Sequence, residues 1–119
     1  MRARRDAPAP LYFQGGEVGF PMSVNASVTI YTTAYCGFCT RAKRLLSQKS
    51  VHYNEINVEE RPDLRAWLVK ASGQRTVPQV FINGKSVGGF SDISALDSAG
   101  KLDPLLGTPP SPDLPALPT

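Results

Sequence analysis

Apolar residues change spacing several times between residues 26 and 107, and each change marks an element. Val28-Thr29-Ile30-Tyr31 is β-branched and apolar, the signature of a buried strand. From Gly37 to Ser47, Phe38, Ala42, Leu45 and Leu46 recur at helical spacing, with charges on the other face. His52 to Val58 reads as a second strand, with Tyr53, Ile56 and Val58 as its apolar members. Arg61-Pro62-Asp63 opens a helix, because proline suits the first turn and the acid suits the dipole. Leu64, Trp67, Leu68 and Ala71 supply its core face, and Gly73 ends it. Gln79–Ile82 and Lys85–Gly88 flank Asn83-Gly84, the strongest short hairpin signal. Gly88-Gly89 breaks the second of these strands. Ser91 or Asp92 then caps a last helix through Ile93, Ala95, Leu96 and Ala99, closed at Gly100. The predicted order is β-α-β-α-β-β-α. This is an α/β domain with one mixed sheet of four strands flanked by three helices.

The flanks do not share this periodicity. Residues 1–25 form an N-terminal extension in which Leu11-Tyr12-Phe13-Gln14-Gly15 looks like the core of a tobacco-etch-virus protease cleavage site. That stretch is a remnant of cloning, with Met22 as the natural start, or a coincidence, and it is set aside from the fold. Residues 108–119 carry five prolines in twelve positions, which predicts an extended, disordered tail. The domain proper is expected over 26–107.

Composition narrows the classes of function. At 119 residues the chain suits one domain with a real core. The net charge of +3 is mild, and Arg2, Arg4 and Arg5 lie outside the domain. Arg41, Lys43 and Arg44 share one helix and read as a solvated face. A nucleic-acid surface would be richer and interleaved with aromatics. No apolar run has membrane-spanning length, and residues 1–20 have no apolar core of a secretory signal. The two cysteines do not make the framework of a small secreted domain, so a reducing, cytoplasmic location is expected.

Those two cysteines carry the chemistry. Cys36-Gly37-Phe38-Cys39 follows the first strand directly and opens the first helix. A C-x-x-C at a strand–helix junction reads as a thiol–disulfide redox centre. The unpaired N–H groups and positive end of the helix favour a thiolate at Cys36, while Cys39, one turn on, can attack a mixed disulfide. A zinc site would need two further ligands, and the chain offers only His52.

The chain resembles the thioredoxin-like fold and, more closely, small dithiol glutaredoxins of the bacterial type. The resemblance rests on Val28-Thr29-Ile30-Tyr31-Thr32, Cys36-Gly37-Phe38-Cys39, Thr76-Val77-Pro78-Gln79-Val80-Phe81-Ile82 and Gly88-Gly89-Phe90-Ser91-Asp92, and it covers residues 27 to 107. It implies a glutathione-dependent thiol–disulfide oxidoreductase acting on protein disulfides and protein–glutathione mixed disulfides. Cys36 is the nucleophile and Cys39 the resolving thiol; for Cys39 the alternative is a buried small hydrophobe. Glutathione is expected against Phe38, Arg65, Thr76, Val77, Pro78, Gly89, Phe90, Ser91 and Asp92. In the family Val77-Pro78 is a cis bond whose neighbouring backbone pairs with substrate. Ser91 and Asp92 receive the γ-glutamyl end, and the Arg65 position reaches the glycine carboxylate. A solvated surface role for Arg65 stays open. Two departures stand out. Thr33 occupies a place where many relatives have lysine, and Gly37 one where the commonest dithiol motif has proline. Relatives with glycine there often accept a [2Fe–2S] cluster bridging two chains through two nucleophilic cysteines and two glutathione thiolates. The second reading is therefore a cluster-binding homodimer with Cys36 as metal ligand. A third is a redoxin served by thioredoxin reductase. The expected partners are glutathione and disulfide-bonded or glutathionylated proteins, and the expected state is a monomer unless a cluster bridges two copies.

Overall fold

The computed structural model describes residues 25–119. All of the expected N-terminal extension except Asn25 lies outside them. The elements are β1 (Val28–Thr32), α1 (Gly37–Gln48), β2 (Tyr53–Asn57), α2 (Pro62–Ser72), β3 (Gln79–Ile82), β4 (Lys85–Gly88), α3 (Phe90–Ser98) and α4 (Leu102–Gly107). The strand order is β2-β1-β3-β4. β1 pairs in parallel with β2 and antiparallel with β3, and the β3–β4 hairpin closes the sheet. This is the thioredoxin-like arrangement expected from the sequence.

β1 is buried along its whole length because helices cover both faces of the sheet at its centre. On one face, Val28, Ile30, Val80 and Ile82 meet Ala42 and Leu46 of α1, Ile93 of α3, and Leu102 and Leu106 of α4. On the other, Tyr31 and Phe81 meet Leu64 and Leu68 of α2, with Trp67 against both rings at 5.5 Å between centroids. Alternation along β1 thus sends one set of side chains to each core.

The hairpin turn is tight for the expected reason. Asn83 and Gly84 both have positive φ, 53° and 79°, as a type I′ turn requires. Asn83 does more than turn: its side chain accepts from the Ser27 N–H and donates to the Thr108 carbonyl, clamping the start of β1 and the start of the tail.

Several expectations need correction. The second strand starts at Tyr53 and ends at Asn57, inside the expected range, with His52 exposed before it. Ala71, expected on the core face of its helix, is exposed. The last long helix is capped by Gly89, not by Ser91 or Asp92. α4 is a fourth helix not expected from the sequence, and two of its three leucines, Leu102 and Leu106, are fully buried while Leu105 is exposed. Pro104 conceals it, yet a proline in the first turn removes no helical hydrogen bond.

The tail also departs from expectation. It has neither helix nor strand, as its prolines require, but residues 108–119 are docked instead of being disordered. Leu117 packs on the core beneath α2, and the Tyr31 hydroxyl donates to the Pro118 carbonyl at 2.7 Å. Leu114 lies so close over the hairpin that a Cβ on Gly84 would fall 2.6 Å from it. The tail borders a cleft with Thr29, Asn54 and Ile56 of the sheet. An apolar residue three positions from another, Leu114 and Leu117, gives the segment two anchors on one side.

Candidate active site

α1 begins at the reactive pair. Cys36 is its N-cap, with extended backbone (φ −105°, ψ 113°), and its sulfur accepts the Cys39 N–H at 3.2 Å. An N-cap side chain that takes one of the helix's open N–H groups is a usual device; here the acceptor is sulfur. The Cys36 thiol also lies 3.8 Å from the Val77 carbonyl oxygen, to which it donates. Both thiols are free. Cys36 is half-buried, whereas Cys39 is only 2% exposed. Burial, helped by the hydrogen bond with Cys36, pushes the Cys39 thiol up to about 11. The two sulfurs therefore differ in access as the nucleophile and resolving roles require.

Behind Cys39 sits a polar network. Lys43 reaches Glu55 at 2.9 Å, and Thr32 donates to the same carboxylate oxygen at 2.8 Å. Burial pushes the Glu55 carboxyl up, but the hydrogen bonds from Lys43 and Thr32 outweigh it and hold the group below its ordinary value. The bond to Glu55 raises Lys43. Lys43 and Glu55 line an open cleft of about 480 Å³ that reaches both cysteines. Thr33 lines the same cleft.

A second cleft, about 410 Å³, opens on the other side of the Val77 backbone. Phe38, Thr76, Val77, Pro78, Gly89, Phe90, Ser91 and Asp92 all line it, so eight of the nine residues expected to contact glutathione come together. Arg65 does not line it. This residue is exposed on α2 beside a separate small cavity that shares Gln74 and Val77 with the cleft. Gln74 lines the cleft and was missed. It had no motif around it, but buried Gln79 donates to both Gln74 Oε1 and the Thr76 carbonyl, so one residue of the T-V-P-Q run holds the loop.

The Val77–Pro78 bond is cis, as the resemblance implies. The double glycine acquires a local cause. A Cβ on Gly88, whose φ is 101°, would lie 2.2 Å from Asp92 Oδ2, and one on Gly89 would lie 3.1 Å from the Pro78 carbonyl oxygen. These glycines let α3 start against the 78–79 backbone. Asp92 Oδ2 then accepts the Gly89 N–H at 2.9 Å, fixing the first turn of α3. The remaining N–H groups of that turn face no helical partner and suit an anion.

Tyr35, immediately before the nucleophile, is fully exposed with φ 57°. A bulky residue in the left-handed region gives no sequence signal, and it was not anticipated. Among the described residues no group of three or more potential metal-binding side chains exists, and no helix is long and apolar enough to cross a membrane.

The family model described as Glutaredoxin matches residues 28–87. A glutaredoxin of Pseudomonas aeruginosa is 52% identical over 79 residues, spanning 66% of this chain and 94% of that protein. Glutaredoxin 3 of Escherichia coli K12 is 47% identical over 81 residues, spanning 68% and 98%. In structure, the glutaredoxin of Brucella melitensis superposes with a TM-score of 0.65 at 45% identity, covering 72% of this chain and 94% of that one. A buckwheat glutaredoxin–glutathione complex gives 0.64 at 37% identity, covering 68% and 76%.

Proposed function

This chain belongs to the glutaredoxin family and is a thiol–disulfide oxidoreductase; from that premise we propose that glutathione is its reductant and that protein–glutathione mixed disulfides and protein disulfides are its substrates. The observation that carries the proposal is a half-buried Cys36 at a helix start, beside a cleft lined by the T-V-P loop and the first turn of α3.

Cys36 attacks the glutathione sulfur of a mixed disulfide, and the protein thiolate leaves with the bond's electron pair. A second glutathione thiolate then attacks the Cys36–glutathione bond, giving glutathione disulfide and restoring Cys36. The helix N-terminus and the Cys39 N–H face the sulfur that carries the charge at each end of the cycle. With a protein disulfide, Cys36 forms a mixed disulfide with the protein. Cys39 then attacks the Cys36 sulfur and releases the second protein thiolate. In this reading the 410 Å³ cleft takes glutathione. Thr76 and Val77 offer it backbone, Pro78, Phe38 and Phe90 offer apolar walls, and the Gly89–Asp92 turn holds its γ-glutamyl end. Arg65, outside the cleft proper, meets the glycine carboxylate only by reaching over Gln74. The enzyme works in the cytoplasm, where glutathione is reduced.

The test is a glutathione-coupled assay with two substrates. Cys36→Ser abolishes turnover of both. Cys39→Ser keeps turnover of a glutathionylated peptide and loses most of that of a protein disulfide. Equal losses from Cys39→Ser would remove its resolving role, and activity with thioredoxin reductase in place of glutathione would favour the redoxin alternative.

A second reading has its own support. Space beside Gly37 is open, with no atom from another part of the fold within 4 Å of where a Cβ would sit, which leaves room next to Cys36 for a second copy. One accessible cysteine sulfur per chain fits a [2Fe–2S] cluster completed by two glutathione thiolates, since such clusters take four sulfur ligands. Cys36 would hold it, and the buried Cys39 would not. Brown protein from anaerobic purification with glutathione supports this reading; a colourless preparation rejects it.

A further inference from the structure

α1 carries three cations and no acid. Lys43 is paired with Glu55. Arg41 and Arg44 are exposed, and among the described residues neither makes an ion pair. The neighbouring helix, α3, does not pair with them: of its two acids, Asp97 is bound to Lys49 and Asp92 accepts the Gly89 N–H. Between α1 and α3 runs a groove of about 270 Å³ lined by Arg41, Arg44, Leu45, Gln48, Phe90 and Ser94. Phe90 belongs both to this groove and to the cleft beside Cys36. The link is reinforced at Phe38, which is 56% exposed: the Arg41 guanidinium lies 5.4 Å from its ring centre, and the Phe90 ring centre lies 6.4 Å from it. An apolar floor with two uncompensated guanidiniums therefore continues the cleft away from the nucleophile.

Such a groove suits a chain that extends beyond the reacting sulfur. Arg41 and Arg44 lie five and eight residues after Cys36, about 7.5 and 12 Å along a helix. An extended peptide advances about 3.4 Å per residue. The two guanidiniums are thus matched by acidic side chains two to four residues from a disulfide-bonded cysteine. We propose that the α1–α3 groove is a docking surface for polypeptide substrates carrying Asp or Glu two to four residues from the reacting cysteine. The proposal rests on the oxidoreductase reading and names its preferred substrate class. A nucleic acid fits less well, because its charges recur every few ångströms over a long track and this patch offers two.

The probes are two glutathionylated peptides of equal length, one with Glu and one with Lys at those positions, and a glutathionylated small thiol. Wild type is expected to favour the acidic peptide about tenfold in KM, a preference that fades at high salt. The Arg41→Glu/Arg44→Glu chain loses that preference, keeps its turnover of the small thiol, and so reports its own correct folding. The Arg41→Gln/Arg44→Gln chain falls between. Equal KM values for both peptides in wild type overturn the proposal, as does a loss in the variants that is the same for both peptides. So does a duplex oligonucleotide that competes as well as the acidic peptide. A wild-type chain that turns over none of the three probes instead overturns the oxidoreductase reading, and the proposal with it.

Discussion

Under the proposed mechanism Cys39 has two tasks that pull its thiol in opposite directions. To pack beside β1 it must be buried and neutral; to resolve a mixed disulfide it must lose its proton. Burial wins at rest and carries it to about 11 from an ordinary 9.0. The folded, reduced chain therefore keeps a proton that the unfolded chain releases above pH 9. Its stability is expected to fall between pH 9 and about 11, by up to about 2 kcal/mol. Melting of the reduced protein should show this fall, and Cys39→Ala should remove it between pH 9 and 10, above which Tyr31, also raised by burial, adds a fall of its own; an unchanged slope between pH 9 and 10 contradicts the assignment. The same proton governs the chemistry. Attack of Cys39 on a Cys36–glutathione mixed disulfide, which forms the Cys36–Cys39 bond and expels glutathione as its thiolate, is expected to quicken about tenfold per pH unit from pH 7 to 10. Both cysteines were legible as an unequal pair from spacing and position at the helix start. How deeply Cys39 is buried was not, because it depends on which face of α1 the sheet covers.

Element boundaries were legible wherever a single residue enforces them. Gly73 ends α2 with φ 74° and returns its N–H to Val69, and Asn83-Gly84 turns the hairpin. The start of α3 was misplaced because its cap is made in reverse. Gly89 has no side chain to offer, and Asp92, three residues on, supplies the acceptor. That arrangement makes Gly88 critical: Gly88→Ala puts a methyl group into the Asp92 carboxylate at a φ of 101°. A loss of about 2 kcal/mol or more is expected, with a raised KM for glutathione because the first turn of α3 shifts. A melting temperature within a degree of wild type would show that this turn is not held as described. α4 escaped notice because six residues containing a proline make a poor periodic signal; only the sheet, by burying Leu102 and Leu106, reveals it.

At the scale of the molecule, the sheet is closed by a segment outside the family match. The contact from Tyr31 to Pro118 joins positions 87 apart in sequence, and no local pattern reports such a distance. The prolines announced an extended chain; what they hid was that Leu114 and Leu117 have somewhere to go. Removing residues 108–119 exposes that face and strips the Tyr31 hydroxyl of its acceptor. A loss of about 2 kcal/mol is expected, from two half-buried leucines and one hydrogen bond. The Tyr31 phenol, pushed up to about 12 by burial, should then titrate closer to 10. Turnover should be unchanged, since the tail lines none of the clefts at the cysteines. Equal melting temperatures for the two forms would show that the docking adds nothing.

The direct test is the mass of the Cys39→Ser chain after brief exposure to glutathione disulfide. One added glutathione, located on Cys36 by peptide mapping and removed by excess glutathione, is the predicted result. A chain that stays unmodified, or is modified equally well when Cys36 is the cysteine replaced by serine, contradicts the account.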